Sequence, residues 1–132
     1  MHLRIATYNI HRCVGRDGIE NIDRIAAVLK EINADVVALQ EVTSSRKESA
    51  DMLAGLALAT GLNPIEGFTL NTDGTRYGNA ILTRIPISAV THTDISVAGK
   101  EPRGVIEVAF SAPDIYSLTI SIWATHLGLG VF

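Results

Sequence analysis

The run ADVVALQEV (34–42) limits the fold of this chain more than any other stretch. Val36, Val37, Ala38 and Leu39 follow one another without a polar break, so a strand here must be covered on both faces. Ahead of it, Ile22, Ile25, Ala26, Leu29 and Ile32 recur at spacings of three and four, which predicts an amphipathic helix with Asn21 as its N-cap. Earlier still, LRIATYNI (3–10) reads as a buried strand opening into the polar, Gly-containing HRCVGRDG. Strand, helix and strand fit within about forty residues, the length of a right-handed βαβ unit, so the two strands are expected to be parallel neighbours. Asn9 and Glu41 then fall side by side at the carboxyl ends of their strands, the edge where open α/β sheets bind ligands.

The rest of the chain changes character. SADMLAGLALATGL (49–62) predicts a second helix that starts near Ser49 or Asp51 and stops at Gly61. NTDGTRYGN (71–79) is turn-rich, and Tyr77-Gly78-Asn79 reads as the corner launching the strand AILTRIPI, which Pro86 ends or edges. SAVTHTDIS, RGVIEVAF and YSLTISIWATHL supply three more strands, with AGKEP and SAPDI between them. With no helices in between, they are expected to form an antiparallel meander. The expectation is one α/β domain over residues 1–132, a mixed β-sheet with helices on one face.

Composition narrows the class. A chain of 132 residues can bury one sizeable core, and 47% hydrophobic with 19% charged residues excludes a disordered chain. The net charge of −3 offers no generic basic surface for nucleic acid, so phosphate contacts should be local or metal-assisted. The single cysteine, Cys13, cannot form an intrachain disulfide and reads as a small half-buried filler. With no leader-like start and no apolar run reaching the ~18 residues of a membrane span, a cytoplasmic protein is expected.

Five polar residues stand at strand ends or in the adjoining loops: Asn9, Glu41, Asn79, Arg103 and His126. Brought to one rim they make a hydrolytic site. A carboxylate holds a hard cation, an amide orients phosphate, and an imidazole moves or stabilises charge. Each also has a plain structural reading. Glu41 suits a solvated strand end, Asn9 and Asn79 suit turns, Arg103 between Pro102 and Gly104 suits a solvated loop, and His126 suits a packed or capping histidine. By pattern alone His11 and His92 are ordinary polar side chains.

Taken in order, RIATYNIH, DRIAAVLKEINADVVALQEV, YGNAILTRIPI, EPRGVIEVAF and WATHLGL closely resemble the amino-terminal half of the endonuclease/exonuclease/phosphatase family. The resemblance covers essentially the whole chain, and TYNIH and LQEV are its most specific segments. It implies half of a DNase I-like four-layer α/β sandwich and metal-dependent hydrolysis of a phosphoester by a phosphodiesterase, nuclease or phosphatase. By the same resemblance, Glu41 ligates Mg²⁺ or Mn²⁺, Asn9 helps position the metal and the phosphate, and His126 lines the scissile phosphate. Asn79, Arg103 and His11 become substrate contacts, and the partner is a phosphoester, with nucleic acid among the candidates.

The family pattern continues after its THL segment with a GDFN-like strand end and later an SDH-like one, neither of which occurs in these residues. Catalysis by this chain alone is therefore expected to be impaired. Because the family packs two sheets face to face, a first half supplying mainly one sheet would leave an apolar inner face bare, and a homodimer through that face is expected. The alternative to an enzyme is a non-catalytic half-domain that self-associates and binds metal or phosphate weakly.

Overall fold

The computed structural model describes residues 2–45, 51–112 and 118–128. Strand β1 (Ile5–Asn9) runs parallel to β2 (Val36–Ser45), with Asn9 opposite Gln40, and helix α1 (Ile22–Ile32) connects them. This is the βαβ unit that the apolar spacing predicts. Asn21 caps α1 by accepting a hydrogen bond from the Arg24 N–H at 2.9 Å, and Asn33 closes it in the left-handed region.

Helix α2 (Met52–Thr60) is capped by Asp51, whose two carboxylate oxygens accept from the Ala54 N–H at 3.0 Å and the Ser45 N–H at 3.1 Å. One side chain thus ties the end of β2 to the start of the helix. Gly61 ends α2 at φ 71°, a conformation that costs a glycine little. Ser49, the other candidate for the helix start, lies outside the described residues, as do Tyr116 and most of the SAPDI turn.

Next comes a hairpin that the sequence reading did not anticipate. Strand β3 (Asn63–Thr72) pairs antiparallel with β4 (Thr75–Thr83), and the turn between them falls at Asp73-Gly74, both at positive φ. Tyr77, Gly78 and Asn79 are therefore not the corner but lie inside β4. β3 was obscured by Pro64, tolerated because β3 is an edge of the sheet order β1-β2-β4-β3, and by Gly67, where a Cβ would clash with the Ile106 side chain of the neighbouring sheet.

Strands β5 (Ala89–Asp94), β6 (Gly104–Ser111) and β7 (Thr119–Thr125) form the expected antiparallel meander, but as a separate three-stranded sheet. On one face of the four-stranded sheet Val37, Leu39, Val42, Ala80 and Leu82 pack against Ile25, Leu29, Leu53 and Leu56 of the helices. On the other, Val36, Ala38 and Ile81 pack against Ile106, Val108 and Ala124 of the second sheet. Each fully buried side chain of this kind contributes roughly 1.5–3 kcal/mol.

Three layers result: helices, mixed sheet, antiparallel sheet. The inner face expected to lie bare is covered by this chain's own β6 and β7. That withdraws the surface through which a homodimer was expected. Cys13 is a filler as anticipated, but fully buried and not half-buried, and burial, with the nearby Glu20 charge, pushes its thiol pKa up to about 11.

Candidate active site

Two β-bulges shape the rim where β1 ends beside the middle of β2; Glu41 stands at a bulge inside β2, which runs on to Ser45, and not at the carboxyl end of its strand as the sequence suggests. Leu39 pairs with Ala80 and Val42 with Gly78, so Gln40 and Glu41 together oppose the single residue Asn79. Across β4, Phe68 pairs with Gly78 and Leu70 with Tyr77, which leaves Thr69 as the extra residue. Bulges bend a strand and re-aim its side chains. Here Glu41 adopts φ 57°, costly for a non-glycine residue, and such strain persists only where the surroundings over-determine it. Gly78, between the two bulges at φ 152°, has room for no side chain, since a Cβ would lie 2.8 Å from the Thr69 nitrogen.

Glu41 is the centre of the cluster. Asn9 Nδ2 donates to Glu41 Oε1 at 3.0 Å, and His11 Nδ1 lies 3.2 Å from Oε2. His126, at the end of β7 in the second sheet, brings Nε2 to 4.0 Å from Oε1. Burial alone would raise the Glu41 pKa, but the bonds from Asn9 and His11 and the charges of His11 and His126 outweigh it and hold the carboxyl below its ordinary range.

The loop that delivers His11 is itself strained, with His11, Arg12 and Cys13 all left-handed at φ 48°, 54° and 58°. Hydrogen bonds from His11 N–H to Asn9 Oδ1 (3.0 Å), from Cys13 N–H to Ile10 O (2.9 Å) and from Asn21 N–H to Cys13 O (2.8 Å) hold it, with Cys13 buried below. Asn9 thus orients two groups at once.

Arg103 and Asn79 meet His126 across a narrow cleft, lined also by Thr69, Tyr77 and Gly78. Arg103 Nη1 lies 3.3 Å from His126 Nδ1, and Arg103 Nη2 donates to Glu101 at 2.7 Å. All six candidate residues therefore gather at one rim, including His11, whose contact with Glu41 no spacing rule revealed. His92 stands apart, bonded through Nε2 to the Glu66 carbonyl at 2.7 Å.

The sequence reading passed over two groups. Tyr77 faces the cleft, its pKa raised by burial and by the Glu41 and Glu101 charges. Glu101 anchors Arg103. Tyr77 was hidden by the turn-like YGN; Glu101 carried no signal of its own.

The chemistry of the cluster suits a hard cation. One ionised, partly exposed carboxylate matches the way Mg²⁺ is held by one or two carboxylates, water and substrate phosphate. Both Glu41 oxygens and Asn9 Oδ1 already meet one hydrogen-bond partner each, and each keeps lone-pair capacity that a cation could use. Among the described residues no group of three or more His, Cys, Asp or Glu side chains is placed to hold a metal ion.

Comparison with known proteins extends these observations. The family model described as "Endonuclease/Exonuclease/phosphatase family" matches residues 6–125. The uncharacterized protein YbhP of Escherichia coli strain K12 is 29% identical over 147 aligned residues, covering 96% of this chain and 53% of YbhP. The chain thus spans about half the length of that curated relative. A crystal structure of an endonuclease/exonuclease/phosphatase from Beutenbergia cavernae DSM 12333 superimposes with a TM-score of 0.75 at 27% identity, covering 95% of this chain and 38% of that one. The Caenorhabditis elegans TDP2 structure shares the fold, with a TM-score of 0.70, 21% identity, and coverage of 97% of this chain and 36% of that one.

Proposed function

Because the chain belongs to the endonuclease/exonuclease/phosphatase family, we propose that it carries part of a metal-dependent phosphoester-hydrolysing site centred on Glu41. The observation behind this reading is the convergence on that one carboxylate of Asn9 at 3.0 Å and His11 at 3.2 Å from the end of β1 and the loop after it, and of His126 at 4.0 Å from the end of β7.

In this reading Glu41 holds Mg²⁺ or Mn²⁺, which when bound draws charge from a phosphate oxygen and favours attack by water. Asn9 fixes the orientation of Glu41 through Nδ2 and helps position the metal and the phosphate through Oδ1. His126 faces the space beside Oε1 and donates a hydrogen bond to a phosphate oxygen as negative charge develops there. Arg103 and Asn79, which line the cleft with His126, hold the substrate there, and His11, 69% exposed at its side chain, meets it at the entrance. The substrate is a phosphoester, with nucleic acid among the candidates, and its remainder lies along the groove between β3 and β5, which shares Thr69 and Arg103 with the cleft.

A second reading, weak metal and phosphate binding without turnover, is favoured by the sparse ligand set at Glu41. A cytoplasmic setting is proposed from the sequence. Among the described residues no helix is long and apolar enough to cross a membrane.

Hydrolysis of an aryl phosphodiester with Mg²⁺ or Mn²⁺ tests the main reading. Turnover that falls at least tenfold in both Glu41→Ala and His126→Ala supports it. Turnover unaffected by either substitution removes this site from consideration, and metal binding with no turnover in any protein selects the second reading.

A further inference from the structure

Arg103 and His126 stand on neighbouring strands, and their contact has a chemical consequence. A guanidinium offers only N–H donors and stays protonated in proteins. With Arg103 Nη1 3.3 Å from His126 Nδ1, that ring nitrogen must present a lone pair. A neutral His126 then carries its hydrogen on Nε2, the nitrogen 4.0 Å from Glu41 Oε1. His11 is arranged the opposite way, since its Nδ1 faces an ionised carboxylate oxygen that can only accept.

Arg103 is built to hold this position. Its N–H donates to Ser96 Oγ at 3.0 Å, its carbonyl accepts from the Ile95 N–H at 3.0 Å, and Nη2 donates to Glu101 at 2.7 Å. The Thr125 hydroxyl donates to the Gly104 carbonyl at 2.9 Å, which fixes the residue before His126 against the residue after Arg103. Arg103 is also mostly buried, with a side chain 21% exposed.

We propose that Arg103 is a positioning residue that locks His126 in the Nε2–H tautomer, so that the imidazole enters the rim as a hydrogen-bond donor. The tautomer stands on the geometry of these two residues; only its use on a phosphate oxygen rests on the reading of the site given above. Arg103 would thereby act on substrate through His126 as well as by its own charge.

Imidazole ¹⁵N NMR of the protein at a pH where His126 is neutral tests this without any substrate. The expected spectrum has a lone-pair-type shift at Nδ1, a protonated Nε2, and a nitrogen–nitrogen coupling across the hydrogen bond to Arg103 Nη1. Arg103→Met should abolish that coupling and raise the Nδ1–H population, while Arg103→Lys, which keeps a donor, should preserve the Nε2–H form. A dominant Nδ1–H form in the unaltered protein overturns the proposal, and so does a tautomer population identical in the unaltered protein and Arg103→Met. Loss of hydrolysis in a His126→Ala protein speaks to the site, not to the tautomer, so the two ideas fail separately.

Discussion

Asn9 Nδ2 donates to Glu41 Oε1 at 3.0 Å across 32 residues of sequence, joining the end of β1 to the bulge inside the parallel strand β2. The same amide accepts from the His11 N–H at 3.0 Å, so one side chain sets both the carboxylate and the strained loop beside it. Asn9→Ala removes both bonds. Chemical denaturation should show a loss of about 1–2 kcal/mol, the range for a hydrogen-bonded polar side chain that also fixes a turn. Asn9→Ser, which can keep the bond to His11 but is too short for Glu41, should recover part of that loss.

Glu41 sits at φ 57°, where a side chain is strained, and this separates its role in stability from its role in the site. Glu41→Gly and Glu41→Ala both delete the carboxylate. The glycine variant should nevertheless be the more stable of the two by roughly 1 kcal/mol, since only glycine adopts that conformation without penalty. Parallel thermal melts would decide it; an alanine variant as stable as the glycine one would mean that the backbone at the bulge relaxes.

Acid should weaken the protein in a defined window. The Glu41 pKa is lowered from its ordinary 4.5, so its contribution is fully present above that value and is lost as pH falls through the depressed folded value. Asp17 and Asp94 are likewise lowered, by bonds to Ile19 and Arg24 and to Ser96 respectively, and act in the same direction at lower pH. Urea midpoints measured from pH 6 downward should decline below about pH 4.5, and more gently in Glu41→Gln, which cannot titrate there.

Gly78 lies where the two bulges meet. An added Cβ would press on the backbone of Phe68 and Thr69 at φ 152°. Gly78→Ala should cost at least about 1–3 kcal/mol, the scale of a single strained backbone position. It should also displace Asn79, visible as a change in the backbone amide resonances of residues 77–80.

Much of this fold was legible because its signals are local. The apolar spacing in α1, the caps at Asn21 and Asp51, and the unbroken apolar run of β2 each reflect neighbours within one turn or one strand. From them the parallel pairing and the meeting of Asn9 with Glu41 follow. The hairpin strand β3 was hidden because Pro64 and Gly67 act as breakers in the chain, yet the proline is harmless at a sheet edge and the glycine makes room for Ile106. The bulges at Gln40-Glu41 and Thr69 insert one residue without changing composition, so periodicity cannot see them. The second sheet escaped for a related reason. Sequence shows that β6 has an apolar face, but only packing shows that Ile106 and Val108 meet Val36, Ala38 and Ile81. The expectation of a bare inner face failed at that step, and with it the surface argument for a homodimer.

The centre of the account is that Glu41 holds a divalent cation. Mn²⁺ titration followed by paramagnetic broadening of NMR resonances tests this directly, because broadening falls off steeply with distance from the ion. The account predicts that the first signals lost are those of Asn9, His11, Glu41 and His126, and that Glu41→Gly removes this local effect. Broadening centred elsewhere, or unaltered in Glu41→Gly, would contradict it.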